Sequence, residues 1–452
     1  MAAVYVDRQR FIENLEESRL LDAAQWDELR PRLPATDRGR VIARFLVQEG
    51  VLTRFQAENL LAGRTNGFVL GQYRILDELG RGGMGRVFKA EHVTMKRLVA
   101  LKVLAAQLTR TDRAQRLFQR EVRAAARLVH PHIVTAFDAN RIGDRFFLVL
   151  EYIEGPTLAA LVREQGPLPV GQACDFIRQA ALGLQHAHAL GMVHRDIKPS
   201  NLLIQPPVEP GARTAGLVKI ADFGLARLAD DATAPDGSEP SSSIFGGTSV
   251  VMGTPDYLSP EQGRDLDSVD IRSDIYSLGC TLYFALTGEV PFPSGTPLDK
   301  IERHSTAEPE PVSDLRPIVP PEVTAVIQRM MAKSPDERYQ TPAEVAEALE
   351  PYSESVPMRW SPTHGERRTF GDLMADISGD TSRSVVGGTR PLGGASSPLS
   401  SKEIRTLRRA DRRARARNAP RRAPRRRRKH AGSRPAPSPP PRSPARRPRS
   451  RR

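Results

Sequence analysis

The stretch His194-Arg195-Asp196-Ile197-Lys198-Pro199-Ser200-Asn201 sets a carboxylate, an ammonium and a side-chain amide at fixed offsets in one short loop. A helical pattern ends before it, near Ala189, and the apolar run Leu202, Leu203, Ile204 follows it. A hydroxyl nucleophile needs an acceptor for its proton, a transferring phosphoryl group needs positive charge, and a magnesium ion needs hard oxygen ligands; Asp196, Lys198 and Asn201 offer one of each. Taken alone, the same letters also describe a solvated polar turn, and the rest of the chain decides between the two. Asp222-Phe223-Gly224 stands 21 residues after Asn201, behind a second short apolar segment of Leu217, Val218 and Ile220. Upstream lie Gly80-Arg81-Gly82-Gly83-Met84-Gly85-Arg86-Val87 and Val99-Ala100-Leu101-Lys102.

The glycine pattern is shared with the dinucleotide-binding turn, which opens a helix. Here a strand-like stretch from Tyr73 leads into Gly80, and Val87, Phe88 and Ala90 alternate as a strand does. A hairpin whose glycines let backbone amides approach phosphates is therefore expected, rather than a Rossmann turn. Lys102 ends an apolar run, a costly place for a charge that lacks a partner. Residues 116–128 read as a helical segment. Residues 130–134 and 146–151 are expected to supply the remaining strands of a small lobe, and His130 with His132 lacks a third convergent residue for a metal site.

In this order and spacing the motifs resemble the eukaryotic-type (Hanks-type) serine/threonine protein kinases common in bacteria, over residues 73–352. The resemblance implies an α+β, bilobal protein kinase fold with a small β-rich lobe at 73–152 and a larger helical lobe at 153–352. It also implies ATP and Mg2+ as nucleotide and metal, and protein Ser or Thr hydroxyls as substrate. ATP would lie against Leu79, Gly80, Arg81, Gly82, Gly83, Met84, Gly85, Arg86, Val87 and Ala100, with Leu150 as the gate and Glu151 to Ile153 as the hinge. Lys102 would hold the α- and β-phosphates and itself be held by Glu121. Asp196 would orient the substrate hydroxyl and accept its proton, Lys198 would stand near the γ-phosphate, and Asn201 and Asp222 would hold magnesium, with Phe223 packing to lock Asp222. Lys198, two residues after Asp196, together with Thr254 resembles the Ser/Thr branch rather than the tyrosine branch. Asp274 would bind the backbone of the catalytic loop, and Glu261 would pair with Arg338. In Gly253-Thr254-Pro255-Asp256-Tyr257-Leu258-Ser259-Pro260-Glu261, Ser259 stands where the family usually has Ala.

Residues 225–261 correspond to the activation segment of such kinases. The guanidinium of Arg195, directly before Asp196, suits the paired oxygens of a phosphate on that segment. Thr248 is the first candidate for that phosphate and Ser249 the second, added by autophosphorylation between two molecules, which implies self-association. Between Asn201 and Asp222 the chain is longer than the family needs, and Pro206, Pro207, Pro210, Gly211 and Gly216 mark a surface insertion.

Outside the kinase-like span, residues 1–65 form an expected all-α region. Asp22 with Gln25, and 31 residues later Thr53 with Gln56, are matching helix starts; Gly50 and Gly63 are stop signals. Two helix pairs in repeat follow, either a cap packed on the rest or a docking or dimerising module. Residues 353–401 are rich in Ser, Gly, Thr and Pro, and the remainder is Arg-Pro low complexity, so a disordered tail is expected over 353–452.

Of the chain's 67 Lys and Arg and 53 Asp and Glu, residues 402–452 hold 22 and two, so that stretch carries +20 and the preceding 401 residues carry −6. The tail is suited to anionic surfaces or nucleic acid without sequence reading, since no aromatic residue is interleaved with its arginines. Cys174 and Cys280 lack metal-type spacing, no leader-like start is seen and no apolar run spans a bilayer, so a cytoplasmic protein is expected. Bacterial relatives often carry a basic stretch before a membrane helix, and a truncated or frame-shifted form of such a protein would leave this sequence too. Two other functions fit parts of the sequence. A pseudokinase scaffold would lack one of Lys102, Glu121, Asp196, Asn201 or Asp222, and all five are present. The alternative of an anion-binding protein acting through its tail draws on the charge division alone.

Overall fold

The computed structural model describes residues 6–109, 111–207, 216–223, 255–264 and 268–354. Thr248, Ser249, Thr254, Gly224 and the expected tail from residue 355 onward lie outside the described residues.

Four helices come first: α1 (Arg8–Glu17), α2 (Ala23–Leu29), α3 (Gly39–Gln48) and α4 (Arg54–Leu61). Both matched starts form full capping boxes, Asp22 with Gln25 on α2 and Thr53 with Gln56 on α4, so two amide donors at each helix start are satisfied reciprocally. Gly50 and Gly63 follow α3 and α4 at φ +70° and +75°, the left-handed region that ends a helix cheaply only at glycine. The apolar stripes close on one core that includes Phe11, Leu15, Ile42, Leu46 and Leu60.

A six-stranded antiparallel sheet follows, built from β1 (Val69–Leu70), β2 (Tyr73–Gly82), β3 (Gly85–His92), β4 (Arg97–Leu104), β5 (Ala136–Ile142) and β6 (Arg145–Glu151) in the order β1-β2-β3-β4-β6-β5. Side chains alternate across it, and both faces are covered. Ile75, Phe88, Val99, Leu101, Phe147 and Val149 make one apolar layer. On the other face Leu104, Phe146 and Leu148 pack with Phe118 of α5 (Asp112–Ala125).

The expected strand at residues 130–134 is not one. Ile133 is buried in the core of the helical region, and this segment bridges to β8 (Leu217–Ile220), with Val134 N–H donating to Ile220 O at 2.9 Å and Ile220 N–H to His132 O at 3.0 Å. The burial of Ile133 sets the position, and the sheet strand starts only at Ala136.

The helical part comprises α6 (Leu158–Gln165), α7 (Val170–Ala189), α8 (Ile271–Thr287), α9 (Pro297–Thr306), α10 (Val312–Leu315), α11 (Pro321–Met330) and α12 (Pro342–Leu349), with the hairpin of β7 (Leu202–Gln205) and β8 at its upper edge. Helix α8 is buried along nearly its whole length and ends at Gly288, φ +80°. Gly155 makes the crossing from sheet to helices, because a Cβ there would stand 1.9 Å from Ile204 O. Among the described residues no helix is long and apolar enough to cross a membrane.

Candidate active site

Strands β2 and β3 form the expected hairpin, with Gly80 opposite Val87, Arg81 opposite Arg86 and Gly82 opposite Gly85. Of its glycines, Gly85 is sterically required: at φ +139° its Cβ would sit 2.1 Å from Val103 O. At Gly80, Gly82 and Gly83 a Cβ would meet nothing within 4 Å, so these positions leave the hairpin's tip open to a ligand. Arg86 is anchored by two hydrogen bonds to Glu78, at 3.0 and 2.5 Å, and Leu79 is exposed.

Lys102 lies on β4 opposite Val87 and Leu148. It is buried, and its Nζ stands 2.8 Å from Asp222 Oδ1. The ion pair made by Lys102 is therefore with Asp222, whereas the resemblance implied Glu121. Glu121 is buried on α5 and lines the same small cavity as Asp222, Phe223, Leu128, Leu148 and Leu150. Burial pushes the Asp222 carboxyl up, but the adjacent Lys102 ammonium outweighs it, with His194 and Lys198 adding, and the carboxyl is held below its ordinary value. Asp222 has φ +69°, a strained setting for a residue with a side chain. Ala100 pairs with Leu150 and Val99 with Glu151 across β4 and β6, which brings the proposed gate and hinge beside the lysine. Ile153 is buried, the Glu151 side chain accepts from Lys219 Nζ at 2.8 Å and from Thr135 N–H at 3.2 Å, and the Glu151 N–H donates to Thr135 O at 2.9 Å.

The loop from His194 to Asn201 is held from three directions. Asp274, at the start of α8 and eighty residues away, accepts from His194 N–H at 2.7 Å and from Arg195 N–H at 2.8 Å. Its burial raises its carboxyl pKa, an effect the two amides and the nearby cations oppose. Gln262 donates to Arg195 O at 2.8 Å, and the ring of His194 meets Ala221 O at 2.8 Å and the edge of Phe223 at 4.6 Å between centroids. Arg195 itself sits at φ +68°. Inside the loop Lys198 Nζ donates to both Asp196 oxygens, at 2.9 and 2.8 Å, while Asn201 Nδ2 donates to Asp196 O at 2.8 Å and Oδ2 at 3.1 Å. Ala221 N–H donates to Asn201 O at 2.8 Å, which ties the Asp222 segment to the loop.

Thus Asp196, Lys198 and Asn201 of one loop converge with Asp222 and with Lys102, about a hundred residues upstream. A Protein kinase domain family model matches residues 73–350. The chain belongs to the protein kinase domain family. Its kinase domain is 39% identical over 278 residues to the serine/threonine-protein kinase PknB of Mycobacterium leprae, covering 61% of this chain and 42% of that protein. It is 36% identical over 270 residues to the serine/threonine-protein kinase pkn3 of Myxococcus xanthus, covering 59% and 47%. The match therefore spans less than half the length of these relatives. The crystal structure of the Mycobacterium tuberculosis PknI kinase domain aligns at 27% identity and a TM-score of 0.47, covering 64% of this chain and 98% of that one.

Two contributors to the site carry no local sequence signal. Gln262 and Lys219 each make one long-range hydrogen bond that no local pattern signals. His186 of α7 stacks on His130 at 5.0 Å, with His132 5.4 Å from His130, which makes a cluster of three imidazoles where sequence offered two. Burial and the neighbouring rings and cations lower the His130 pKa, and burial also lowers that of His132. Among the described residues no group of three His, Cys, Asp or Glu side chains is arranged to hold a metal ion.

Proposed function

We propose that this chain transfers the γ-phosphoryl group of Mg-ATP to serine or threonine hydroxyls of proteins. The observation that carries the reading is the Asp196 carboxylate, fixed by Lys198 and Asn201 at one end of a site whose other end is Lys102 paired with Asp222. Phosphoryl transfer asks a protein mainly for positioning and charge, and those residues supply an acceptor, two ammonium groups and two oxygen donors.

In this reading the open glycine tip and Lys102 bind the phosphates, the hinge from Glu151 to Ile153 meets the adenine, and Lys198 stays near the transferring group. Asp196 orients the hydroxyl and takes its proton at a carboxylate oxygen. A magnesium ion fits Asn201 and Asp222. The Asn201 amide nitrogen is committed to Asp196, which leaves its oxygen as a donor to metal, and Asp222 is held as the anion. Two protein oxygens completed by phosphate and water suit an ion that rarely takes an all-protein cage. Bound with the nucleotide, it supplies neutralisation of phosphate charge. The test is incubation of the purified chain with Mg-ATP and a generic Ser/Thr-containing protein, followed by phosphopeptide mapping. Phosphate on serine or threonine is the expected product, and no transfer to any protein would reject the reading.

Regulation belongs to the same proposal. A phosphate on Thr248, with Ser249 second, would meet Arg195, whose backbone is fixed on both sides by Asp274 and Gln262. Autophosphorylation at Thr248 between two molecules is expected, and Thr248→Ala should lower activity about tenfold or more, a loss that Arg195→Ala does not deepen because both remove one interaction. Equal activity of phosphatase-treated and untreated enzyme, with the treatment verified by mass, would contradict it.

The basic tail is proposed as an accessory arm for anionic surfaces. Deletion of residues 402–452 should leave turnover of a short peptide unchanged within about twofold while abolishing retention on heparin at low salt, because that stretch holds the chain's excess of positive charge. Undiminished retention would place the attraction elsewhere.

A further inference from the structure

The kinase match begins at Tyr73, and the four helices before it lie outside it. Their last member, α4, is built onto the glycine hairpin. Each side chain of its capping box does two jobs. The Gln56 carboxamide accepts from Thr53 N–H at 2.9 Å and donates to Ile75 O at 2.7 Å. The Thr53 hydroxyl accepts from Gln56 N–H at 3.2 Å and donates to Leu76 O at 2.6 Å. In a regular strand, consecutive carbonyls point to opposite sides, so one helix reaches both only because the β2 register shifts between Ile75 and Asp77. Strand β1 pairs with Tyr73 and Arg74, and α4 takes over the β2 edge where β1 stops.

Between those two hydrogen bonds, Phe55 enters the outer apolar layer of the sheet, edge-on to Phe88 at 6.4 Å. The Arg86 guanidinium lies 4.7 Å from the Phe88 ring on its same-face neighbour position, and Arg86 is in turn held by Glu78. Phe55, Phe88, Arg86 and Glu78 thus form one continuous contact chain that ends next to Gly80 and Gly85.

The chain contains its own control. The matching box of Asp22 and Gln25 closes with the same geometry on α2, yet both residues are exposed, and the hydrogen bonds of their side chains stay within that box. Gln56, in contrast, is buried. Helix capping therefore does not by itself explain the contacts that Thr53 and Gln56 make.

We infer that Thr53, Phe55 and Gln56 are positioning residues for nucleotide binding: through Phe88 and the β2 carbonyls they hold the glycine hairpin in its phosphate-binding position. The inference rests on the nucleotide reading of that hairpin proposed above. Part of the ordering of the hairpin is thereby complete before ligand arrives, which favours affinity rather than the chemical step.

The full chain tests this with Phe55→Ala and Gln56→Met, against Gln25→Met as the matched change. MgADP binding is followed by titration calorimetry, a readout that needs no phosphoryl transfer, and KM for ATP and kcat are measured beside it. Phe55→Ala and Gln56→Met are expected to weaken MgADP binding and raise KM by about threefold to tenfold, the scale set by one aromatic pair or one buried hydrogen bond. Turnover at saturating ATP should stay within about twofold, Gln25→Met should match wild type, and Phe55→Leu should recover most of the loss. Binding within about twofold of wild type in both variants would overturn the inference, as would an equal loss in Gln25→Met. Should either variant lose its unfolding transition, the other together with Phe55→Leu carries the same criterion. Absence of MgADP binding by wild type would overturn the nucleotide site itself, whereas equal binding by wild type and variants overturns only the clamp.

Discussion

Asp196→Asn is expected to lower phosphoryl transfer about a thousandfold while leaving the thermal midpoint within a few degrees of wild type, the range seen when a positioned acid or base is removed. The side chains are nearly the same shape, so packing is kept. What changes is the acceptor: the amide can offer only one oxygen where the carboxylate engages Lys198 through both oxygens and Asn201 through Oδ2. Lys102→Met should cost about a hundredfold to a thousandfold for a different reason, loss of the buried cation proposed to meet developing phosphate charge. It also removes the partner that holds the Asp222 carboxyl low, so burial then acts unopposed by that ammonium and the carboxyl rises. Initial rates on a peptide, with calorimetric midpoints on the same samples, decide both cases; activity within a few-fold of wild type for either variant removes that residue from the proposed chemistry.

The second large effect concerns stability. Arg338 is buried, and its guanidinium donates twice to Glu261, at 2.7 and 2.9 Å, and to the carbonyls of Ala332, Arg272 and Lys333 at 2.8, 2.9 and 3.2 Å. Ser273 Oγ donates to the same carboxylate. Arg338→Met fills similar space but strands a buried carboxylate and three carbonyls, and should cost about 3 to 5 kcal/mol in urea unfolding at neutral pH.

Burial pushes the Glu261 carboxyl up, and the Arg338 pair with Ser273 more than reverses this, so its folded pKa lies below the ordinary value. That stabilisation is fully present above the unfolded pKa of about 4.3 and is lost as pH falls through the lower folded value. In Arg338→Met the shift reverses sign, and protonation relieves the stranded charge. The gap between wild type and variant should therefore narrow on acidification from pH 7 to pH 4; a constant gap would mean that the ionised pair is not the source of the effect. Arg338→Lys should not rescue it, since one ammonium cannot reproduce five directed hydrogen bonds.

The same pair organises the site at a distance. Residues 255–264 are tied to α8 through Glu261 and through Ser277, which donates to Tyr257 O at 2.7 Å, and Gln262 then reaches the catalytic loop. Loss of Arg338 should thus lower activity as well as stability.

The sequence alone determined what depends on near neighbours. The offsets of Asp196, Lys198 and Asn201 in one loop, the two capping boxes, the glycine hairpin with its strand-like flank, and the 20-residue helix ending at Ala189 all rest on contacts a few residues long, and local propensity and spacing are sufficient for those. The family's motifs extended this to the pairing of Glu261 with Arg338 and to the anchoring of the loop by Asp274, both of which form.

Only tertiary structure decided which apolar face meets which. Periodicity shows that α4 has an apolar side, but not that Phe55 and Gln56 spend it on the outer layer of the kinase sheet. The segment at residues 130–134 has strand-like composition, but burial of Ile133 draws it to β8. Glu121 and Asp222 line one cavity, and the Lys102 ammonium stands 2.8 Å from Asp222, a partnership set by distance in space that chain spacing does not encode.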